Sequence, residues 1–302
     1  MTIRIAFAGT PDFAAVILKS LLKNDALSVE LVFSQPARPK GRGLEIEKSP
    51  VETHTIAANI PVHCPVKWSE KESALIKDTA IDYLITVAYG LILPSHAIEA
   101  PSKTALNVHA SLLPKWRGAA PIQRAIKAGD EKTGISIFSL EKTLDTGPIL
   151  SMDEIKILPD ETSAELHDRL AILASKVLPE TIIGHFEDKI TPTPQNHEES
   201  TYASKIQKKE GRLSWDMPAD EIYRTYRSFN PWPGVVIENF KLIKIQISNE
   251  TGNPGEIISL DPLVIATADS SLQIDQIQKA GKKAVTGPDF ANGQRLKIGD
   301  QL

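Results

Sequence analysis

Apolar positions along the chain follow two patterns. From Ile3 to Phe138, short apolar runs alternate with stretches of helical spacing. The runs Ile3–Ala8, Val29–Phe33, Ile81–Val87, Lys103–Val108 and Gly134–Phe138 read as strands. Between them, Phe13–Leu22 has apolar residues at Phe13, Val16, Ile17 and Leu21 behind a capping Asp12, which predicts a helix. Ser49–Asn59, Ser69–Thr79, Pro94–Ala100 and Ala119–Ala128 read as further helices, and Ser163–Phe186 as a long closing one. Strands alternating with helices imply a parallel sheet covered on both faces. The unbroken Tyr83-Leu84-Ile85-Thr86-Val87 suits a strand buried on both sides.

The pattern changes after Thr191. The stretch Thr191–Thr201 is rich in proline and polar residues and has no periodicity, so it reads as a linker. One helix is predicted beyond it, over Pro218–Ser228. Short strand-like pieces follow at Val235–Ile237, Lys241–Ile247, Gly255–Leu260, Leu263–Thr267 and Leu272–Ile277. Short strands separated by Gly and Pro suggest a small β-barrel. The expected organisation is an α/β, Rossmann-like, doubly wound and mostly parallel domain over residues 1–189, a linker over 190–207, and a β-barrel domain over 208–302.

Composition narrows this little. With 41% hydrophobic and 24% charged residues over 302 positions, the chain is of ordinary globular make-up. Its apolar runs are too short to span a membrane, and no secretory leader is expected from the first residues. A single cysteine, Cys64, excludes a disulfide framework and any multi-cysteine metal site. The expected setting is the reducing cytoplasm. A net charge of −4 gives no sign of nucleic-acid binding.

Open α/β sheets bind ligands at the carboxyl ends of their strands. That rule selects Gly9–Asp12, Ala88-Tyr89-Gly90, Asn107-Val108-His109 and the stretch from Phe138 to Asp145. Nucleotide signatures are missing there. Gly41-Arg42-Gly43 does not open a helix, and Ile135 stands where a phosphate loop has lysine. Asn107 and His109, two apart, put both side chains on one side of a strand end. Two donors aimed at one point make an oxyanion site, with Asp145 as a candidate partner for His109. The same spacing also fits satisfied turn residues.

The wider motif resolves that choice. Asn107-Val108-His109-Ala110-Ser111-Leu112-Leu113-Pro114 and Leu144-Asp145-Thr146-Gly147 resemble the core of the folate-dependent formyltransferases. Further matches lie at Phe7–Phe13, Gln35-Pro36, Gly41–Gly43, Val87–Pro94, Trp116–Arg124 and Phe229–Pro233. Together they resemble the branch of that family that acts on aminoacylated tRNA, over almost the whole chain. The resemblance implies transfer of formyl from 10-formyl-tetrahydrofolate to the α-amino group of methionine on initiator tRNA. It implies Asn107, His109 and Asp145 as the catalytic set. It also implies folate binding by Ser111, Leu112, Leu113 and Pro114, with backbone groups near Ala88, Tyr89, Gly90 and Leu91 reading the ring edge. No metal is implied, because the formyl donor is already activated. The second domain resembles an OB-like barrel that helps hold tRNA, and a monomer is expected. Related enzymes that formylate nucleotide-linked amino sugars share the core and can carry a similar second domain. Glycinamide ribonucleotide formyltransferase lacks that domain, so the residues past Thr191 count against it. A silent RNA-binding module with a relic folate site is a further reading, against which the intact Asn107, His109 and Asp145 count.

In the family, the loop between Gln35 and Ser49 contacts the tRNA acceptor stem, which here implicates Arg38, Lys40 and Arg42. Glu45 and Glu47 offset two of its four basic charges, so Arg42 is expected to carry most of the discrimination. Arg42→Ala should lower formylation of initiator methionyl-tRNA at least tenfold, ~1.4 kcal/mol, with folate binding unchanged. Glu45→Lys combined with Glu47→Lys should tighten tRNA binding generally and steepen its salt dependence. Rates on initiator and elongator tRNA across a salt series check both, and a parental rate for Arg42→Ala would make the loop a solvated surface.

Overall fold

A seven-stranded sheet organises the first half of the chain. The computed structural model describes residues 2–40 and 45–302. Strand β1 (Ile3–Gly9) leads into α1 (Asp12–Leu21) and β2 (Leu27–Phe33). A short antiparallel pair follows, β3 (Arg38–Lys40) and β4 (Glu45–Glu47), then α2 (Pro50–Ala57) and β5 (Val62–His63). Helix α3 (Glu70–Asp78) carries the chain to β6 (Tyr83–Val87), and α4 (Ser95–Ile98) carries it to β7 (Thr104–His109). Then come β8 (Arg117–Gly118), α5 (Pro121–Ala128), β9 (Lys132–Ser139), β10 (Ile149–Lys156), α6 (Ser163–Phe186) and β11 (Tyr202–Ala203). The sheet order is β10-β9-β7-β6-β1-β2-β5. Pairing is parallel from β7 through β5 and antiparallel for β9 and β10.

The sequence dictates the layering. In β1, Ala6 and Ala8 face one side and join Phe33, Trp68, Ile76, Leu84 and Ala97 in a buried cluster under α3 and α4. Ile5 and Phe7 face the other side, where α1 and α2 pack together. All four β1 side chains are fully buried, and each large one contributes roughly 1.5–3 kcal/mol. Helix starts are fixed locally. Ser49 accepts from the Glu52 amide at 2.9 Å ahead of α2, and Ser69 and Glu72 close a capping box on α3.

The remaining elements are β12 (Arg212–Leu213), α7 (Ala219–Phe229), β13 (Val235–Ile237), β14 (Phe240–Ser248), β15 (Ile257–Leu260), β16 (Leu263–Ala266), β17 (Ser271–Lys279), β18 (Val285–Thr286) and α8 (Gly287–Gln294). They form a second sheet, in the order β12-β13-β14-β17-β16-β15 with β18 on β17. Its core gathers Trp215, Ile222, Tyr226, Ile245, Ile265, Ile274 and Phe290. The chain thus divides into a parallel-dominated α/β unit and a sheet-rich unit, as the pattern predicts. The two interleave in sequence. The first comprises Met1–Pro121, Lys132–Lys156 and His167–Ala203, and the second Ile122–Glu131, Ile157–Leu166 and Ser204–Leu302.

Several elements lie outside the pattern reading. Strand β10 is an edge strand with exposed alternate residues, so it lacks an apolar run. Helix α8 begins Gly287-Pro288, but its cap Thr286 accepts from the Asp289 amide at 3.2 Å. The segment read as a linker is pinned. Thr193 and Ile149 exchange two backbone hydrogen bonds of 2.8 Å, and β11 pairs with β8.

One ion cluster ties the second unit together. Arg124 donates to both carboxylate oxygens of Glu210, at 2.6 and 3.1 Å, and Lys127 lies 3.9 Å away. The guanidinium's hydrogen bond, against the cost of burial, holds Glu210 down at about 2. Its stabilisation is therefore complete above the ordinary carboxylate range and is lost as pH falls from about 4.5 toward 2. Glu210→Gln should cost about 2 kcal/mol at pH 7 and flatten the loss of stability over that acid range. Urea unfolding of both proteins at pH 7 and at steps down to pH 3 checks this; parallel acid curves would assign the acid loss to other carboxylates.

Candidate active site

The crossover leaving β1 runs to β2 and the one leaving β6 runs the other way to β7, so a crevice opens at the carboxyl ends of β1 and β6. The turn after β6 is fastened there. Thr10 Oγ1 and Gln35 Nε2 donate to the Tyr89 carbonyl at 3.0 and 2.9 Å. Ala88 sits at a φ of 44°, an uncommon conformation for a side-chain-bearing residue. Ala88 and Gly90 are exposed, Leu91 is half-buried, and Tyr89 is buried edge-on to Trp68.

Asn107 and His109 share one side at the end of β7. Thr86, the register partner of Asn107 on β6, donates from Oγ1 to Asn107 Oδ1 at 2.7 Å. That bond occupies the amide oxygen and leaves Nδ2 to act as donor. His109 is 6% exposed and lies edge-on to Phe138. Its Nε2 donates to the Trp116 carbonyl at 2.8 Å, because a carbonyl oxygen only accepts. Its Nδ1 lies 3.8 Å from Asp145 Oδ2. The pairing of His109 with Asp145 is thus formed. The N–H expected to serve an oxyanion is engaged by the protein's own backbone.

Asp145 is 7% exposed, and its Oδ2 accepts from the Gly118 amide at 2.8 Å. It holds a φ of 54°, so the turn must be fixed from outside. Two glycines permit this. A Cβ on Gly118, at φ 111°, would meet Tyr202 at 2.7 Å and the Ala203 carbonyl at 2.9 Å. A Cβ on Gly147 would lie 1.8 Å from the Ser139 carbonyl.

The stretch Ser111–Pro114 is held from beneath by Ser136. This buried hydroxyl donates to the Ser111 carbonyl at 2.7 Å and accepts from the Leu113 amide at 3.0 Å. Ser111 and Leu113 are buried, whereas Leu112 and Pro114 keep part of their surface open. A cavity of about 430 Å³ lies between α4 and the start of the segment leading to Asp145, lined by Ser95, Ile98, Glu99 and Leu140–Thr143. Residues 140–143 of this lining belong to the stretch that the strand-end rule selects, whereas Ser95, Ile98 and Glu99 are not singled out by the sequence.

The family model for "Formyl transferase" matches residues 2–182, and that for "Formyl transferase, C-terminal domain" matches residues 205–295. Methionyl-tRNA formyltransferase from Roseobacter denitrificans is 40% identical over 301 residues, covering 98% of this chain and 97% of that protein. The enzyme of the same name from Acidithiobacillus ferrooxidans is 41% identical over 308 residues, covering 99% and 98%. The chain belongs to the methionyl-tRNA formyltransferase family. Among solved structures, an N-formyltransferase from Helicobacter canadensis, in complex with folinic acid and dTDP-3-aminofucose, superposes with a TM-score of 0.69. It covers 90% of this chain and 98% of its own, at 19% identity, and so shows a shared fold. Methionyl-tRNA formyltransferases use 10-formyl-tetrahydrofolate as formyl donor.

Of the residues read as catalytic, His109 and Asp145 lie side by side, and Asn107 stands two residues before His109 on the same strand. Arg38 is exposed on β3, opposite Glu47 in register, as Lys40 is opposite Glu45. Arg42 lies outside the described residues. Sequence reasoning does not find Thr86, Ser136, the Trp116 carbonyl or Gln195. Thr86 and Ser136 are the register partners of Asn107 and His109 on the flanking strands, a relation that appears only once the pairing is known. Gly147→Ala should cost about 2 kcal/mol through the forced approach to Ser139. The urea midpoint reads this directly, and an unchanged midpoint would show that the turn relaxes freely.

Proposed function

We propose that Asn107, His109 and Asp145 carry the formyl transfer from 10-formyl-tetrahydrofolate to the α-amino group of methionine on initiator tRNA. The observation that carries this reading is the buried His109–Asp145 pair beside a half-buried amide on the same strand, its oxygen already occupied by Thr86. The new bond joins the methionine nitrogen to the formyl carbon, and the bond to the folate nitrogen breaks. Negative charge develops on the formyl oxygen. Asn107 Nδ2 donates to it, and so does His109 Nε2, with the formyl oxygen taking the place of the Trp116 carbonyl as acceptor. Asp145 supports the protonated ring of His109 and helps move the proton lost by the amine, which ends on the departing folate nitrogen.

The folate is assigned to the open groups around this centre. These are the exposed backbone at Ala88 and Gly90 with Leu91 beside the buried Tyr89, the half-open Leu112 and Pro114 on the Ser111–Pro114 stretch, and the cavity beside Leu140–Thr143. The acceptor stem is assigned to Arg38, Lys40 and Arg42, and tRNA also to the sheet-rich domain over 208–302, beyond the catalytic domain over 1–189. A monomer in the cytoplasm is the proposed working form. Among the described residues, no helix is long and apolar enough to cross a membrane.

Asn107→Ala, His109→Ala and Asp145→Ala should each lower turnover by about two to three orders of magnitude with little change in melting temperature. Labelled 10-formyl-tetrahydrofolate is offered to methionyl-tRNA, an amino-sugar nucleotide or water alone. Turnover within about fivefold of the parent removes a residue from the mechanism. Label passing to the sugar or to water instead of the tRNA overturns the substrate assignment.

A further inference from the structure

We infer that Gln195, in the segment that reads as a linker, is a positioning residue for Asp145. The side chain is 7% exposed and uses its full hydrogen-bonding capacity. Its Nε2 donates to the carbonyls of Asp145 and Gly147, at 3.0 and 2.8 Å. Its Oε1 accepts from Arg117 Nε and Nη2, at 3.2 and 2.6 Å. The amide has one possible orientation, because a guanidinium can only donate and a backbone carbonyl can only accept.

The arrangement supports Asp145 from two directions. Through Nε2, one amide aligns two carbonyls of the turn that holds Asp145 at positive φ. Through Oε1, it holds Arg117, the immediate neighbour of Gly118, whose amide donates to Asp145 Oδ2. A turn in a sparsely populated conformation persists only when its surroundings over-determine it, and Gln195 supplies that determination. Gln195 is itself held by the pairing of Thr193 with Ile149 two residues earlier. Arg117 makes a further hydrogen bond, to His197 Nδ1 at 3.0 Å, so the segment grips it twice.

This inference rests on the reading of Asp145 as part of the reacting centre, and it is tested on the full chain. Gln195→Glu keeps the shape and the Arg117 contact but replaces the donor to the two carbonyls by an acceptor. Turnover on methionyl-tRNA should fall at least tenfold. The KM values for 10-formyl-tetrahydrofolate and for tRNA should stay within threefold, and the Gly118 amide should lose hydrogen-exchange protection. Gln195→Met, uncharged and of similar size, should behave alike and replaces Gln195→Glu if that variant does not fold. In an Asp145→Asn background the same change should alter turnover less than twofold, since residues acting as one unit are not additive. Parental turnover in both Gln195 variants would overturn the inference, as would full additivity with Asp145→Asn. Parental turnover in Asp145→Asn alone would instead overturn the role of Asp145.

Discussion

A carboxylate withdrawn from water must be met by donors, and the hydrogen bond from the Gly118 amide to Asp145 meets that demand. Much else follows from it. The amide points inward only because Gly118 takes a backbone conformation that side chains resist, with β11 packed where a Cβ would lie. Asp145 in turn takes a left-handed conformation, which the surrounding carbonyls and the Gln195 amide hold in place. His109 then finds a carboxylate on one nitrogen and a backbone carbonyl on the other. The site is thus made as much by backbone groups in uncommon conformations as by its three conspicuous side chains.

The sheet supplies the rigid part. Asn107 and His109 sit on a central strand, and their neighbours Thr86 and Ser136 come from the strands on either side. Register alone delivers these hydroxyls, one to the Asn107 amide and the other to the Ser111–Pro114 stretch. A slip of β7 by one residue would turn Asn107 and His109 to the opposite face, away from both hydroxyls. The central strands are buried on both faces, which makes their register costly to change.

The two-regime pattern made the central strands and most helices legible, because an element buried on both faces or along one stripe must show it in composition. The long helix α6 and strand β13 fall where periodicity places them. Strand β10 was hidden because half of its residues face water, and α8 because Gly and Pro mask its cap. Strand-end position and motif picked out Asn107, His109 and Asp145, and the structure sets the last two side by side. Gln195 was not picked out, because a polar residue among prolines carries no signal of burial, and its hydrogen bonds are to backbone carbonyls that sequence does not display. The register that sets Arg38 opposite Glu47 was likewise invisible in the sequence.

The position of Gln195 also sets an order of events during synthesis. Every strand of the large sheet has left the ribosome once Lys156 has emerged, with the buried Leu170, Leu178 and Ile182 of α6 still to follow. The amide that holds the Asp145 turn, and the strand that packs on Gly118, come only after the whole of α6. A nascent chain therefore has all the strands of the sheet before it has the groups that hold the Asp145 turn. A ribosome stalled within α6 would display every strand of the sheet but not the amide and the strand that hold the Asp145 turn.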